Sequence, residues 1–165
     1  MNAIIKVCSR ITTALSSPFA ESLALLFARI ALGGIFWRSY KTKVEEGTLF
    51  QISEVQYFIF ENEFSGLPLS PGIAVPLTTY AEFVFPIALA IGLAARLCAS
   101  GLMVMALVIQ IFIFPTADHF FGWAIMVIAL GAFILTRGPG LFSLDALLAR
   151  FTRAPSAPAG ALKAA

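Results

Sequence analysis

Two opposite charges stand alone inside long apolar runs of this chain. Arg29 lies within Ser22–Tyr40 and Glu82 within Pro71–Ala95. A lone charge at the middle of a bilayer costs at least ~2.5–3.5 kcal/mol, so each needs a partner or a task. At ~1.5 Å per residue, Arg29 lies ~12 Å above the inner end of its run, and Glu82 ~16 Å below the outer end of its own. In a ~30 Å hydrocarbon core those depths nearly coincide. The expectation is therefore a buried Arg29–Glu82 pair between two helices. It reads either as the polar centre of a ligand- or proton-linked site or as a salt bridge that fixes helix packing. Pro86 strengthens the first reading. Proline has no N–H to donate and crowds the carbonyl four residues earlier, here that of Glu82. Thr78 and Thr79 extend the polar stripe one turn outward. The stretch is half of a small binding pocket, or a kink solvated by threonine hydroxyls and water.

A second set of residues gathers toward the other end of the runs. Trp37, Arg38 and Lys43 close the first run, Gln110 stands about a turn before the end of the third, and His119 and Trp123 open the fourth. Converging, they form a basic, aromatic pocket with one imidazole, suited to an anionic or quinone-like headgroup. Dispersed, they are an ordinary aromatic belt with snorkelling cations. No metal site is expected: Met103 and Met105 point to different faces of a helix, and no His or Cys spacing fits a structural zinc site. A single histidine and no nucleophile–base motif argue against a self-contained enzyme. No nucleic-acid, dinucleotide or P-loop motif is present.

The elements that must hold these residues are membrane helices. Hydrophobic residues make up 59% of the 165 and charged ones 12%, against about 25% charged in soluble domains. Mean hydropathy is +0.91. Four apolar runs, Ser22–Tyr40, Pro71–Ala95, Leu97–Phe114 and Phe120–Leu135, each approach the ~20 residues a bilayer crossing needs. The fold expected is all-α: an antiparallel bundle of four transmembrane helices with short interfacial helices. Its parts are an arm at 1–20, a membrane domain at 21–151 with spans near 22–40, 71–95, 97–115 and 119–137, and a disordered tail at 152–165. Ser70-Pro71 reads as a cap and first-turn proline, and Gly92-Leu-Ala-Ala-Arg96 as a tight hairpin turn. The loop Lys41–Ser70 contains a candidate interfacial helix around Ile52–Phe60. Ser143 caps a short amphipathic stretch, Leu144–Phe151.

Four crossings place Lys6, Arg10, Arg96, Arg137, Arg150, Arg153 and Lys163 on one side, and only Arg38, Lys41 and Lys43 on the other. Counting basic residues predicts that both termini are cytoplasmic. The first run is followed by Arg38 and Lys41 rather than a small-residue cleavage site, so it reads as a retained anchor. Cys8 and Cys98 fall on the same side with no C-x-x-C motif, which encodes no redox dithiol.

Several segments together resemble the DoxX family of bacterial membrane proteins. They are Phe36-Trp-Arg-Ser-Tyr-Lys-Thr-Lys-Val44, Tyr80-Ala-Glu-Phe-Val-Phe-Pro86, Gly92-Leu-Ala-Ala-Arg96, Val108-Ile-Gln-Ile-Phe-Ile-Phe-Pro115 and Arg137-Gly-Pro-Gly-Leu-Phe-Ser-Leu-Asp145. The resemblance covers roughly Leu23–Leu148. Its most specific elements are E-x-x-x-P, Gly-Leu-x-x-Arg and Gly-Pro-Gly-x-x-Ser-Leu-Asp. It implies a four-helix protein of the bacterial inner membrane that partners redox proteins. Relatives are small subunits of quinone-reducing sulfur oxidation systems, companions of thiol-oxidative stress enzymes, or proteins encoded beside metal-stress peptides. Tyr40 departs from the pattern: relatives often carry a small residue after Ser39, so Tyr40 narrows any cleft between spans one and two.

Three functions follow as expectations. The first is an accessory subunit of a membrane redox or stress-response system, holding a quinone-like apolar ligand at Arg29 and Glu82. Lys43, Gln110 and His119 would stand at the outer mouth. The second is an oligomeric transporter or channel for a small solute or metal ion, its assembly aided by the small pair Ala88/Gly92. The third is a membrane scaffold that recruits a partner protein.

Overall fold

The computed structural model describes residues 2–152. The tail expected to be disordered lies, from residue 153 onward, outside the described residues. All regular elements are helical. They run α1 (Asn2–Leu15), α2 (Pro18–Lys41), α3 (Glu54–Asn62), α4 (Pro71–Ile91), α5 (Ala95–Val108), α6 (Ala117–His119), α7 (Ile125–Arg137) and α8 (Leu144–Thr152). A π-helical turn, Ile109–Ile113, prolongs α5, and a second, Phe120–Ala124, joins α6 to α7.

Four continuous helical stretches are long and apolar enough to cross a membrane: Pro18–Lys41, Pro71–Ile91, Ala95–Ile113 and Ala117–Arg137. The all-α four-span architecture read from the sequence is therefore the one observed, with shifted ends. The first span starts at Pro18 rather than Ser22, because Ser17 caps it. The Ser17 hydroxyl accepts from the Ala20 N–H at 3.2 Å, and Pro18 fills the first turn, where no donor is needed. The second span stops at Ile91 rather than Ala95, because Gly92 turns left-handed at φ 73° and terminates the helix. Thr116 starts the fourth by accepting from the His119 N–H at 3.2 Å.

The spans pack α2 against α4, α4 against α5, and α5 against α7, with α7 closing back on α2. Ala95, Ala99, Leu102 and Ala106 alternate three- and four-residue steps and are fully buried with Leu32, Phe36, Leu89, Val127 and Ile134. Their small side chains let the helices approach closely. The loop after α2 and the loop between the third and fourth spans lie on one side, here the loop face. The turn after α4 and the segment after α7 lie on the other, the terminal face. On the loop face, α3 packs on α4 through Phe60, Ala74 and Val75, joined by Ile52, Tyr57, Phe64 and Leu67. On α1, Ile4, Val7 and Ile11 stay exposed.

Candidate functional site

The expected Arg29–Glu82 pair does not form. Both side chains are buried, at 0% and 2% exposure, but each has other partners. Arg29 Nη1 donates to the carbonyls of Leu89 at 3.3 Å and Ala90 at 3.2 Å, and Nη2 donates to the carbonyl of Phe142. Glu82 is bound by Lys43 and Ser39 instead. The antiparallel register of α2 and α4 explains the difference. It sets Ser39 beside Glu82 and Arg29 beside Ala90. Ten residues separate Arg29 from Ser39, so the two polar centres stand about 15 Å apart along α2. Gly33 sits between them, where an added Cβ would lie 3.2 Å from the Pro86 carbonyl oxygen. Its missing side chain lets the helices meet at the proline.

Around Glu82 the hydrogen bonds close into a ring. Lys43 Nζ donates to Glu82 Oε2 at 2.8 Å and to Ser39 Oγ at 2.8 Å, and the Ser39 hydroxyl donates to Glu82 Oε1 at 3.1 Å. Lys43 lies beyond the end of α2, so its position depends on the loop that follows. The Ser53 N–H donates to the Lys43 carbonyl at 3.0 Å, the Glu45 N–H to the Gln51 carbonyl at 2.9 Å, and Val44 bridges to Ile52. Tyr40, fully buried, donates its hydroxyl to the Leu49 carbonyl. These bonds fold the loop back and aim Lys43 down into the bundle. Two of its three ammonium N–H groups are engaged. The third has no partner among the described residues.

This ring stands on the wall of a cavity of about 710 Å³ on the loop-face half of the bundle. The lining is mostly apolar: Ile35, Leu77, Ala81, Phe85, Val104, Met105, Val108, Ile109 and Ile113 from the spans, and Phe60, Phe64 and Leu67 from α3 and its exit. Ser39, Lys43, Thr78 and Glu82 contribute on one side, His119 and Trp123 on the other. The cavity lies on the α4–α5 side of the bundle. The cleft expected between spans one and two is filled at this level by Tyr40, which packs with Trp37 and Phe83.

The His119 ring lies between Phe114 and Trp123, with centroids 4.9 and 5.2 Å away. Its Nδ1 is 2.6 Å from Gln110 Oε1. The Gln110 amide nitrogen donates to the Thr116 carbonyl at 3.1 Å, so its oxygen faces the imidazole and accepts. That arrangement assigns the proton of a neutral ring to Nδ1 and leaves the Nε2 lone pair for another donor. The two π-helical turns sit where these residues meet: Gln110 within one, Trp123 within the other, His119 at its start. Such turns are frequent at functional sites.

Of the residues singled out from the sequence, Lys43, Thr78, Glu82, His119 and Trp123 line the cavity, and Gln110 holds the imidazole from behind. Four stand elsewhere. Arg29 belongs to the terminal-face cluster. Thr79 is buried and donates to the Val75 carbonyl at 2.7 Å. Trp37 borders a shallow groove between α2 and α4 with Gly33, Gly34 and Pro86. Arg38 is exposed. The Thr78 hydroxyl is engaged too, with the carbonyls of Ala74 and Val75. Sequence reasoning missed Ser39, and of the two orientations open to the interfacial helix, lipid or bundle, Phe60 takes the bundle. Lys43 lies past the last residue of α2, so helical spacing gave no signal for its bond to Ser39.

Two of the three most specific motifs, Gly-Leu-x-x-Arg and Gly-Pro-Gly-x-x-Ser-Leu-Asp, assemble on the terminal face, away from the cavity. Asp145 accepts from the N–H groups of Ala94 at 2.8 Å and Ala95 at 3.0 Å, capping α5, and its own N–H donates to the Gly92 carbonyl at 3.0 Å. Arg96 Nε donates to the Leu135 carbonyl at 3.1 Å. Ser22 Oγ accepts from the Leu141 N–H at 3.0 Å. With Arg29 these bonds form a clasp that ties three helix ends to the segment leading into α8. Gly92 is buried inside it, so the Ala88/Gly92 pair is not free to serve an oligomer contact.

The Gly-Leu-x-x-Arg and Ser-Leu-Asp segments thus build the clasp, and the E-x-x-x-P helix carries the polar ring. No curated protein and no solved structure matches the chain. The family model described as DoxX matches residues 24–115, more than half of its length. The chain is an integral membrane protein of the DoxX family.

Proposed function

We propose that this protein is the ligand-holding accessory subunit of a membrane redox or stress-response system, and that its cavity takes a quinone-like molecule. One observation carries the reading: an apolar cavity of about 710 Å³ with the Lys43–Ser39–Glu82 ring on its wall. Ligand pockets commonly measure ~300–1,000 Å³, mostly apolar with a few polar groups that fix orientation. A buried carboxylate and ammonium neutralise each other and leave an N–H donor without a net charge. His119 offers an Nε2 acceptor, or a donor once protonated. A ring bearing carbonyl oxygens fits such a lining better than a charged solute, because the Lys43 charge is already neutralised by Glu82. When bound, such a ring would supply two-electron, two-proton redox chemistry. The chain's own residues would orient it through the Lys43 N–H and the His119 imidazole and exclude water.

A transporter needs a path through both halves. The terminal-face half is filled by Leu32, Leu89, Ala95, Cys98 and Ile134 and closed by the Arg29 clasp, so the cavity favours binding over conduction. In a bacterial inner membrane, the excess of basic residues on the terminal face sets that face toward the cytoplasm, and the ligand sits in the opposite leaflet.

The test is a thermal melt of purified protein with a short-chain quinone. At a hundred times the dissociation constant a ligand stabilises by ~2.7 kcal/mol, about 5–10 °C for a chain of this size. The shift should saturate and should disappear in Ala81→Phe, which puts an aromatic ring into the cavity beside Glu82. A quinone that leaves the melting point of the parent protein unmoved refutes the reading.

A further inference from the structure

The cavity has a covered end and an open side. Toward the loop face it is roofed by aromatic side chains: Phe60 is 6% exposed, the rings of Phe60 and Phe64 lie 5.1 Å apart edge-on, and Phe64 meets Phe114 at 6.1 Å. Between α4 and α5 the lining is different. Leu77 on α4 and Val104 on α5 both line the cavity, yet are 57% and 58% exposed. Their joint position, on the lining and facing outward, marks the rim of a gap between α4 and α5. Leu77 is six residues inside α4, and Val104 nine residues before Ile113. The gap therefore lies roughly 9–14 Å below the loop-face ends of the spans, within the hydrocarbon layer.

We propose that the cavity is loaded sideways from the bilayer through this gap, and that its occupant is a chain-bearing ring: a small uncharged headgroup with carbonyl acceptors, on an aliphatic tail that stays between α4 and α5. This rests on the reading of the cavity as a quinone-type site and adds the route and the tail. The headgroup reaches Lys43, whose third N–H has no partner among the described residues, and the tail leaves past Leu77 and Val104 without crossing water. A phospholipid fits less well, because its phosphate would have to sit beside Glu82 in an apolar chamber.

The experiment follows Trp123 fluorescence by stopped flow in a Trp37→Phe background, with protein in vesicles and decyl-ubiquinone delivered in a second vesicle population. Leu77→Phe/Val104→Phe adds bulk at the gap, and Leu97→Phe adds it at a lipid-facing position elsewhere (70% exposed). The proposal predicts that the gap variant slows association and dissociation together by tenfold or more with little change in affinity, while Leu97→Phe leaves both rates within twofold. It also predicts that a chainless quinone binds at least tenfold more weakly than the decyl compound. Saturable quenching with rates unchanged in the gap variant overturns sideways loading and leaves the binding site standing. Displacement of the quinone by short-chain phosphatidylcholine at equal concentration overturns the choice of occupant. No saturable quenching in the parent protein overturns the site and the route together.

Discussion

Lys43 and Glu82 are the residues on which the site turns. Breaking a buried pair by removing one member destabilises proteins by about 3–5 kcal/mol, whereas replacing both members with apolar groups of similar size is often near neutral. A double-mutant cycle at this pair therefore has a definite expected form. Lys43→Met and Glu82→Leu each lower the melting temperature of the purified protein, and the double variant recovers most of the loss. The double variant should still fail to shift its melting with quinone, because the N–H donor is gone. Additive single and double effects would show that the side chains do not interact. Lone charges in the apolar runs were legible in the sequence, and both are buried, but their pairing was not. Depth counted from run ends gives the height of a Cα. It ignores that an arginine reaches several ångströms along its helix, and that Lys43 is folded back by the loop through Ser53, Val44 and Ile52. The interaction that decides the partner is a loop conformation, and no apolar period encodes it.

At the level of elements, the chain divides its motifs between the terminal-face clasp and the cavity wall. The turn after α4 is held by Asp145, Arg29 and Ser143, and Gly92 is the residue they surround. Gly92→Ala puts an L side chain at φ 73°, which costs about 1–2 kcal/mol. Its Cβ would also collide with Arg29 Nη1 and with Ser143, adding about 1–3 kcal/mol of overpacking. The expected result is a melting temperature lower by about 5–15 °C, with quinone affinity little changed, because the cavity lies in the other half of the bundle. A loss of binding as large as the loss of stability would show that the clasp and the site are one unit. Capping and turn chemistry made this element readable: Pro71, Gly92 and Ser143 act as their residue types dictate, whereas Ser70 stands at the N-cap of α4 without a side-chain cap bond. The π-helical turns at Ile109–Ile113 and Phe120–Ala124 were not readable, because an extra residue per turn leaves the apolar composition unchanged.

For the molecule as a whole, the bundle is solid at the terminal face and hollow at the loop face. The solid half carries the Arg29 clasp and the small-residue contacts of α5. The hollow half carries the Lys43–Ser39–Glu82 ring, the Gln110-held imidazole and an aromatic roof. Span number and order were legible because apolar runs of bilayer length are a composition signal. The position of the cavity was not, since it depends on which pairs of helices pack tightly and which stand apart. The most direct measurement is mass spectrometry of the apolar molecules that co-purify with the protein when it is extracted from its own membranes in mild detergent. The account predicts close to one prenylated quinone per chain in the parent protein and a loss of at least tenfold in Ala81→Phe. An equal and substoichiometric trace in both proteins would contradict it.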